Sequence, residues 1–278
     1  MIKNSLTVAK QILTPIAKED AGLEAECLLA HALQVDRLYL KKNPDEILSP
    51  AVEKRFRAVV DKRVEGRPLA YILGKKAFWT FALTVTPDVL IPRPETEIVV
   101  ETVLGQCPKK LDAPLLELGT GSGAIAIALA LERPDWSIIA TDCSRAALQV
   151  AKANAAALGC QNIQFLQGDW FARVASKAPF SVIVSNPPYI EARDPHLADP
   201  ALQSEPYGAL CSGKTGLEAL TLIIQKAKHF LTQEGLLCLE HGHDQSEALF
   251  SLLMKNGYHD CQQVRDLGKQ PRVIVARG

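Results

Sequence analysis

Leu115-Leu116-Glu117-Leu118-Gly119-Thr120-Gly121-Ser122-Gly123 is the stretch on which the fold turns. A short, nearly continuous apolar run suits a buried strand, and the glycines that follow suit a tight turn with a ligand lying against bare backbone. Ala124–Leu131 then has the composition of a buried helix. Beyond it the pattern repeats. Strands are expected at Ser137–Thr141, Ile163–Leu166, Ser181–Val184, Gly235–Glu240, Gln262–Val264 and Arg272–Ala276, and helices at Ser144–Leu158, Leu217–Phe230 and Gln245–Asn256. Alternation of this kind predicts an α/β, Rossmann-like parallel sheet. In an open sheet of that class the ligand crevice lies at the carboxyl ends of the strands, where this glycine turn falls. A nicotinamide-type fingerprint reads G-x-G-x-x-G, and here the third glycine comes one residue early.

Two further strand ends narrow the ligand. Asp142 closes the second strand, where a carboxylate can accept hydrogen bonds from both hydroxyls of a ribose. Asp169-Trp170 closes the third, where a carboxylate can take an adenine amino group and an indole can pack on the ring. Each aspartate alone is an ordinary turn or cap residue. At the ends of consecutive strands, with the glycine turn, they describe a nucleoside lying across the top of the sheet.

The fourth strand runs into Ser185-Asn186-Pro187-Pro188-Tyr189. A rigid turn leaving the sheet is the plain reading of two prolines. The chemical reading is a clamp for a planar amide or aromatic-amine nitrogen. Such a nitrogen is a poor nucleophile, because its lone pair is delocalised. The Asn186 side-chain oxygen can accept one N–H. Pro187 has a fixed φ and no donor of its own, so its carbonyl is held to accept the second. Tyr189 can stack on the planar group. With both hydrogens bound, the lone pair is aimed at a neighbouring sulfonium methyl, and transfer needs neither metal nor strong base. His241-Gly242-His243 lacks a third ligand at zinc spacing, and no G-x-S-x-G elbow or Walker-type loop is present.

Upstream, residues to about Gly66 read as helices. Asp20 is placed to cap one, with Leu23, Cys27 and Ala30 on a common face. Ser49-Pro50 starts another that turns Val52, Phe56, Val59 and Val60 inward and carries Lys54, Arg55, Arg57, Lys62 and Arg63 around its other sides, a solvated face or a partner face. Phe78–Val85 alternates with the period of a strand, for which Tyr71–Leu73 is a candidate partner. The chain thus divides into a helical region (1–66), a β-hairpin linker (67–91) and the α/β domain (92–278).

Lys plus Arg equals Asp plus Glu, so the formal net charge is zero. That argues against a protein built to grip a nucleic-acid backbone. No apolar run approaches the roughly 20 residues of a membrane span. The first residues do not read as a signal peptide. Seven dispersed cysteines without a C-x-x-C pair read as reduced thiols in the cytoplasm. Nothing demands a partner chain, so a monomer is expected.

Taken together, Ile91-Pro92-Arg93-Pro94-Glu95-Thr96-Glu97, Glu117–Gly121, Asp169-Trp170, Asn186–Tyr189, Glu205-Pro206 and Leu239–Gly242 resemble the bacterial HemK/PrmC family of peptide chain release factor N5-glutamine methyltransferases, over essentially the whole chain. The asparagine motif alone is shared with DNA and RNA amino-methyltransferases, which leaves transfer to exocyclic amines of adenine or guanine as an alternative. The resemblance implies a seven-stranded class I methyltransferase domain, S-adenosyl-L-methionine as cofactor without metal, and methylation of the glutamine of a Gly-Gly-Gln motif in class 1 release factors, docked by the helical region. By position it implies that Glu117, Leu118, Gly119, Thr120, Gly121, Asp142, Asp169, Trp170 and Asn186 bind the cofactor. It likewise implies that Asn186, Pro187, Pro188 and Tyr189 bind the substrate, with Asn186, Pro187 and Tyr189 catalytic. Ala77 and Thr215 depart from the family pattern, which often has glutamate and aspartate there.

Overall fold

The computed structural model describes residues 1–278. They form two compact units, Met1–Lys75 with Asp199–Ser204, and Lys76–Ala198 with Glu205–Gly278. No helix is long and apolar enough to cross a membrane.

The first unit is built from α1 (Ile2–Ala17), α2 (Ala21–Leu33), α3 (Arg37–Lys42), α4 (Pro50–Val64) and α5 (Leu69–Leu73). Ser49 caps α4 as its sequence predicts, accepting from the Val52 N–H with Pro50 in the first turn. Asp20 makes no side-chain cap. It ends a short 3₁₀ turn, and the buried residues of α2 are Ala21, Ala25, Leu28, Leu29, Ala30 and Ala32, so that Ala30 lies inside as expected. Leu23, expected on that face, is 44% exposed. Leu13, Leu28, Leu29, Phe56 and Val60 centre the core, and Leu69, Ile72 and Leu73 of α5 pack on it.

Two of the basic residues on α4 are structural. Arg63 grips Glu24 with two hydrogen bonds of 2.8 and 3.1 Å. Arg55 donates twice to the Ala32 carbonyl near the carboxyl end of α2, a place where orphan carbonyls and the helix dipole both favour a cation.

In the second unit β1 (Lys75–Phe78) pairs with β2 (Phe81–Thr84) through a turn at Trp79-Thr80. The partner of β2 is therefore β1 and not Tyr71–Leu73, which is helical and ends at Gly74 in the left-handed region. After α6 (Glu97–Gln106) come β3 (Leu115–Leu118), α7 (Ala124–Glu132), β4 (Ile138–Asp142), α8 (Arg145–Ala157), β5 (Ile163–Gln167) and β6 (Phe180–Ser185). The short α9 (Pro200–Gln203) belongs to the first unit. Then follow α10 (Tyr207–Leu210), α11 (Glu218–Ala227), β7 (Leu231–Glu240), α12 (Ser246–Lys255), β8 (His259–Arg265) and β9 (Pro271–Arg277).

The seven-stranded sheet runs β5-β4-β3-β6-β7-β9-β8. Neighbours from β5 to β7 are parallel, whereas β9 is antiparallel to both β7 and β8. The expected parallel sheet thus becomes mixed at one edge, because residues 266–270 turn the chain from β8 straight into β9, too short a link for a helical crossover, and β9 enters between β7 and β8.

Side chains alternate cleanly across the sheet. Leu115, Val182, Val184, Leu236, Cys238, Val273 and Val275 pack under α6 and α7 on one face. Leu116, Leu118, Ile183, Leu237, Leu239 and Ile274 pack under α11 and α12 on the other. By that alternation Glu117 and Glu240 share the α6/α7 face, and both are almost wholly buried. Switching strand order between β3 and β6 opens the crevice at their carboxyl ends.

Candidate functional site

A cavity of roughly 310 Å³ sits there, walled by Gly119, Gly121, Asp142, Asp169, Trp170, Asn186 and Pro188 together with residues of two loops. The turn after β3 is pinned by backbone: the Gly119 and Thr120 N–H groups both donate to the Thr141 carbonyl at 2.9 Å. Gly119 and Gly121 adopt φ of +73° and +55°, and a Cβ built on either meets no protein atom within 4 Å. They leave a cradle that side chains would fill. Gly123 has a different task, since a Cβ there would stand 2.8 Å from Ile127 and 3.3 Å from Ala151. It lets α7 and α8 pack closely and is not a ligand glycine.

Asp142 is held by two backbone donors, the Gly121 N–H to Oδ2 at 2.9 Å and the Ser144 N–H to Oδ1 at 2.8 Å. It ties β4 to the turn and keeps its remaining lone pairs for a ligand. Trp170 stands at the far wall with φ of 47°, where its indole packs against the core under α11. Glu117, Leu118 and Thr120 do not line the cavity and are buried. The Thr120 hydroxyl donates to Glu117 at 2.6 Å. Burial, opposed by that bond, pushes the Glu117 carboxyl up to about 7.

Asn186 and Pro188 line the cavity, whereas Pro187 and Tyr189 do not. The Asn186 side-chain Nδ2 donates to Thr96 Oγ1 at 3.1 Å, which leaves Oδ1 as an acceptor. No backbone N–H donates to the Pro187 carbonyl. The Tyr189 hydroxyl donates to Glu240 Oε1 at 3.2 Å, and burial, with Glu240 beside it, holds its proton well above the usual phenol range. Gln245 donates to the Tyr189 carbonyl at 3.0 Å, and only a glycine fits at position 216, where a Cβ would lie 2.5 Å from that carbonyl.

The remaining wall is made by Asp88, Val89 and Leu90 on one side and Pro206, Gly208 and Ala209 on the other. One buried carboxylate joins these loops. Glu205 accepts from the Ile91 N–H at 2.9 Å and from the Arg93 guanidinium at 2.5 Å. Both residues stand in motifs the sequence singles out, without a role assigned to them. Thr96 is also inside such a motif. Its partnership with Asn186 spans 90 positions, and that of Glu240 with Tyr189 spans 51, so no local pattern announces either. Around His241-Gly242-His243 no group of three His, Cys, Asp or Glu side chains converges. His241 is buried with Nδ1 against the Gly242 carbonyl, and burial lowers its pKa.

With that geometry in place, comparison with known proteins is specific. Residues 5–74 match the model of the PrmC N-terminal domain, and residues 109–270 match a methyltransferase domain. The release factor glutamine methyltransferase of Coxiella burnetii is 44% identical over 99% of this chain and 98% of its own length. Its Escherichia coli counterpart is 40% identical, with 94% of each chain covered. A methyltransferase structure from Pyrococcus furiosus superposes with a TM-score of 0.54 at 18% identity, covering 80% of this chain and 96% of that one; this supports the fold alone. The chain belongs to the release factor glutamine methyltransferase family.

Proposed function

We propose that this protein transfers a methyl group from S-adenosyl-L-methionine to the side-chain amide nitrogen of the glutamine in the Gly-Gly-Gln motif of class 1 release factors. The cavity suits such a cofactor on its own chemistry. The glycine cradle at 119 and 121 has no protein atom where a Cβ would stand. Two carboxylates, Asp142 and Asp169, and one indole, Trp170, line the cavity, which supplies the acceptors that vicinal hydroxyls and an amino group require and a surface for a flat base. When bound, the cofactor supplies an electrophilic methyl on a sulfonium.

The chain's own part is positioning. Asn186 Oδ1 and the Pro187 carbonyl each accept one N–H of the glutamine amide, which localises the nitrogen lone pair and aims it. No group of the enzyme has to abstract a proton before transfer, because the leaving sulfur loses its positive charge as the new bond forms. The nitrogen sheds its extra proton afterwards, to water. Glu117, Leu118 and Thr120 support the cofactor turn from beneath, and we assign Tyr189 to the back of the amide site.

The observation that carries this reading is the amide of Asn186, whose nitrogen is committed to Thr96 and whose oxygen is thereby free beside the nucleoside cavity. Docking of the factor we assign to the helical region, residues 1–66, with 67–91 as linker and 92–278 as transfer domain. The compact units divide at Lys75, because α5 packs on the helical core. We assign the protein to the cytosol as a monomer working without metal; of these, the seven free cysteines support only the reducing compartment. Purified enzyme with labelled cofactor, offered a release factor together with DNA and RNA, tests the reading. Label is expected in the factor; label in nucleic acid alone transfers the same chemistry to an exocyclic amine and overturns it.

A further inference from the structure

Asn186 can clamp a substrate amide only if its own amide faces the right way. Oxygen and nitrogen differ little in size, so packing alone does not choose between them. A threonine hydroxyl as sole partner does not choose either, since it both donates and accepts. Something beyond Thr96 must set the direction of that hydrogen bond.

Glu240 is placed to do so. It ends β7 on the α6/α7 face of the sheet and is 1% exposed. Two hydroxyls address its carboxyl. Tyr189 donates to Oε1 at 3.2 Å, and the Thr96 side chain stands near enough to oppose the rise of the carboxyl's pKa. Oε2 is buried and has no hydrogen-bond partner, so it is the acceptor toward which the Thr96 hydrogen can turn. In its ionised form, reached as pH rises through about 7, that carboxyl accepts only. With its hydrogen drawn to Glu240, the Thr96 oxygen has lone pairs alone to offer Asn186. It must accept from Nδ2, as observed at 3.1 Å, and Oδ1 is left for the substrate.

Resting on the proposed amide-methyltransferase reading, we infer that Glu240 and Thr96 are positioning residues for the reaction. Through the chain Glu240–Thr96–Asn186 they fix the orientation of the Asn186 amide, and through Tyr189 the same carboxyl anchors the second side chain of the motif. Arg272 is the cation facing Glu240 and Glu95 the nearby anion; burial pushes the carboxyl up to about 7 despite Arg272 and the two hydroxyls.

Three variants test this in the full-length enzyme acting on an intact release factor. Thr96→Val keeps the shape and removes the relay, and kcat is expected to fall about tenfold or more with cofactor affinity by calorimetry within about twofold. Thr96→Ser restores the hydroxyl and is expected to recover most of kcat. Glu240→Gln offers one acceptor oxygen to two hydroxyls and is expected to lower kcat with thermal stability retained. An independent readout is hydrogen exchange of the Asn186 side-chain amide in isotope-labelled enzyme, slowed in wild type and accelerated in Thr96→Val. Wild-type kcat in both Thr96→Val and Glu240→Gln overturns the inference, as does unchanged exchange. Failure of the wild-type enzyme to methylate the factor refutes the underlying reading instead, and is distinguished because it precedes any comparison of variants.

Discussion

At the scale of single residues, the site depends on which atoms are already engaged. Asn186 contributes by what its nitrogen is not free to do, Asp142 by being pinned before any ligand arrives. Replacing Asn186 with alanine is expected to lower kcat by about 10²–10³-fold, the size of loss seen when one preorganised polar group is removed from a reacting centre. Cofactor affinity should hardly change, since the ribose and base partners are untouched. Single-turnover kinetics and calorimetry on the same sample check both halves, and near-normal turnover would refute the clamp.

Two buried carboxyls also make stability depend on pH. Burial places Glu117 and Glu240 at about 7 in the folded protein, above the ordinary unfolded value of about 4.3. A folded value raised in this way contributes most below the unfolded pKa and is lost as pH climbs through about 7, because the unfolded chain releases the proton first. Each group costs on the order of 3 kcal/mol across that window. Melting temperature is therefore expected to fall from pH 5 to pH 8, and less steeply in Glu117→Gln. Parallel curves for variant and wild type would contradict the assignment.

At the scale of elements, periodicity and turn chemistry were legible, and partnerships were not. Leu115–Leu118 is apolar enough to name its strand and its ends. Phe78–Val85 alternates throughout, so nothing in it marks the turn at Trp79, which takes a left-handed φ of 53° without being glycine or asparagine. Asp20 looks like a cap because it precedes a helix, yet a 3₁₀ turn fills that place. The basic side chains of α4 look like a surface, and two of them are bound to α2.

Asn154 is a case of the same kind. It lies within α8 and reads as an ordinary helix residue, but its side chain is buried and clasps the Thr84 N–H, the Thr84 carbonyl and the Ser122 carbonyl. It thereby holds the hairpin and the cofactor turn to one helix. Asn154→Ala strips partners from buried backbone and is expected to cost about 2–3 kcal/mol, measurable by urea denaturation. A change under about 0.5 kcal/mol would mean that water replaces the clasp at no cost.

At the scale of the molecule, a helical unit with a core of its own accompanies a sheet unit that contains every residue of the candidate site. If the helical unit docks the factor, its contribution is binding energy remote from the reacting amide. The full-length enzyme should then prefer an intact factor over a short Gly-Gly-Gln peptide by at least about tenfold in kcat/KM, mostly through KM. Equal values for the two would remove the docking role and leave the transfer chemistry standing.

The central claim concerns one nitrogen, and fragment mass spectrometry of a release factor treated with enzyme and cofactor addresses it most directly. The account predicts one added methyl on the side-chain amide of the Gly-Gly-Gln glutamine, formed far more slowly when Asn186→Ala replaces the wild-type enzyme. A methyl found on any other side chain, or the same glutamine modified equally by that variant, would contradict it.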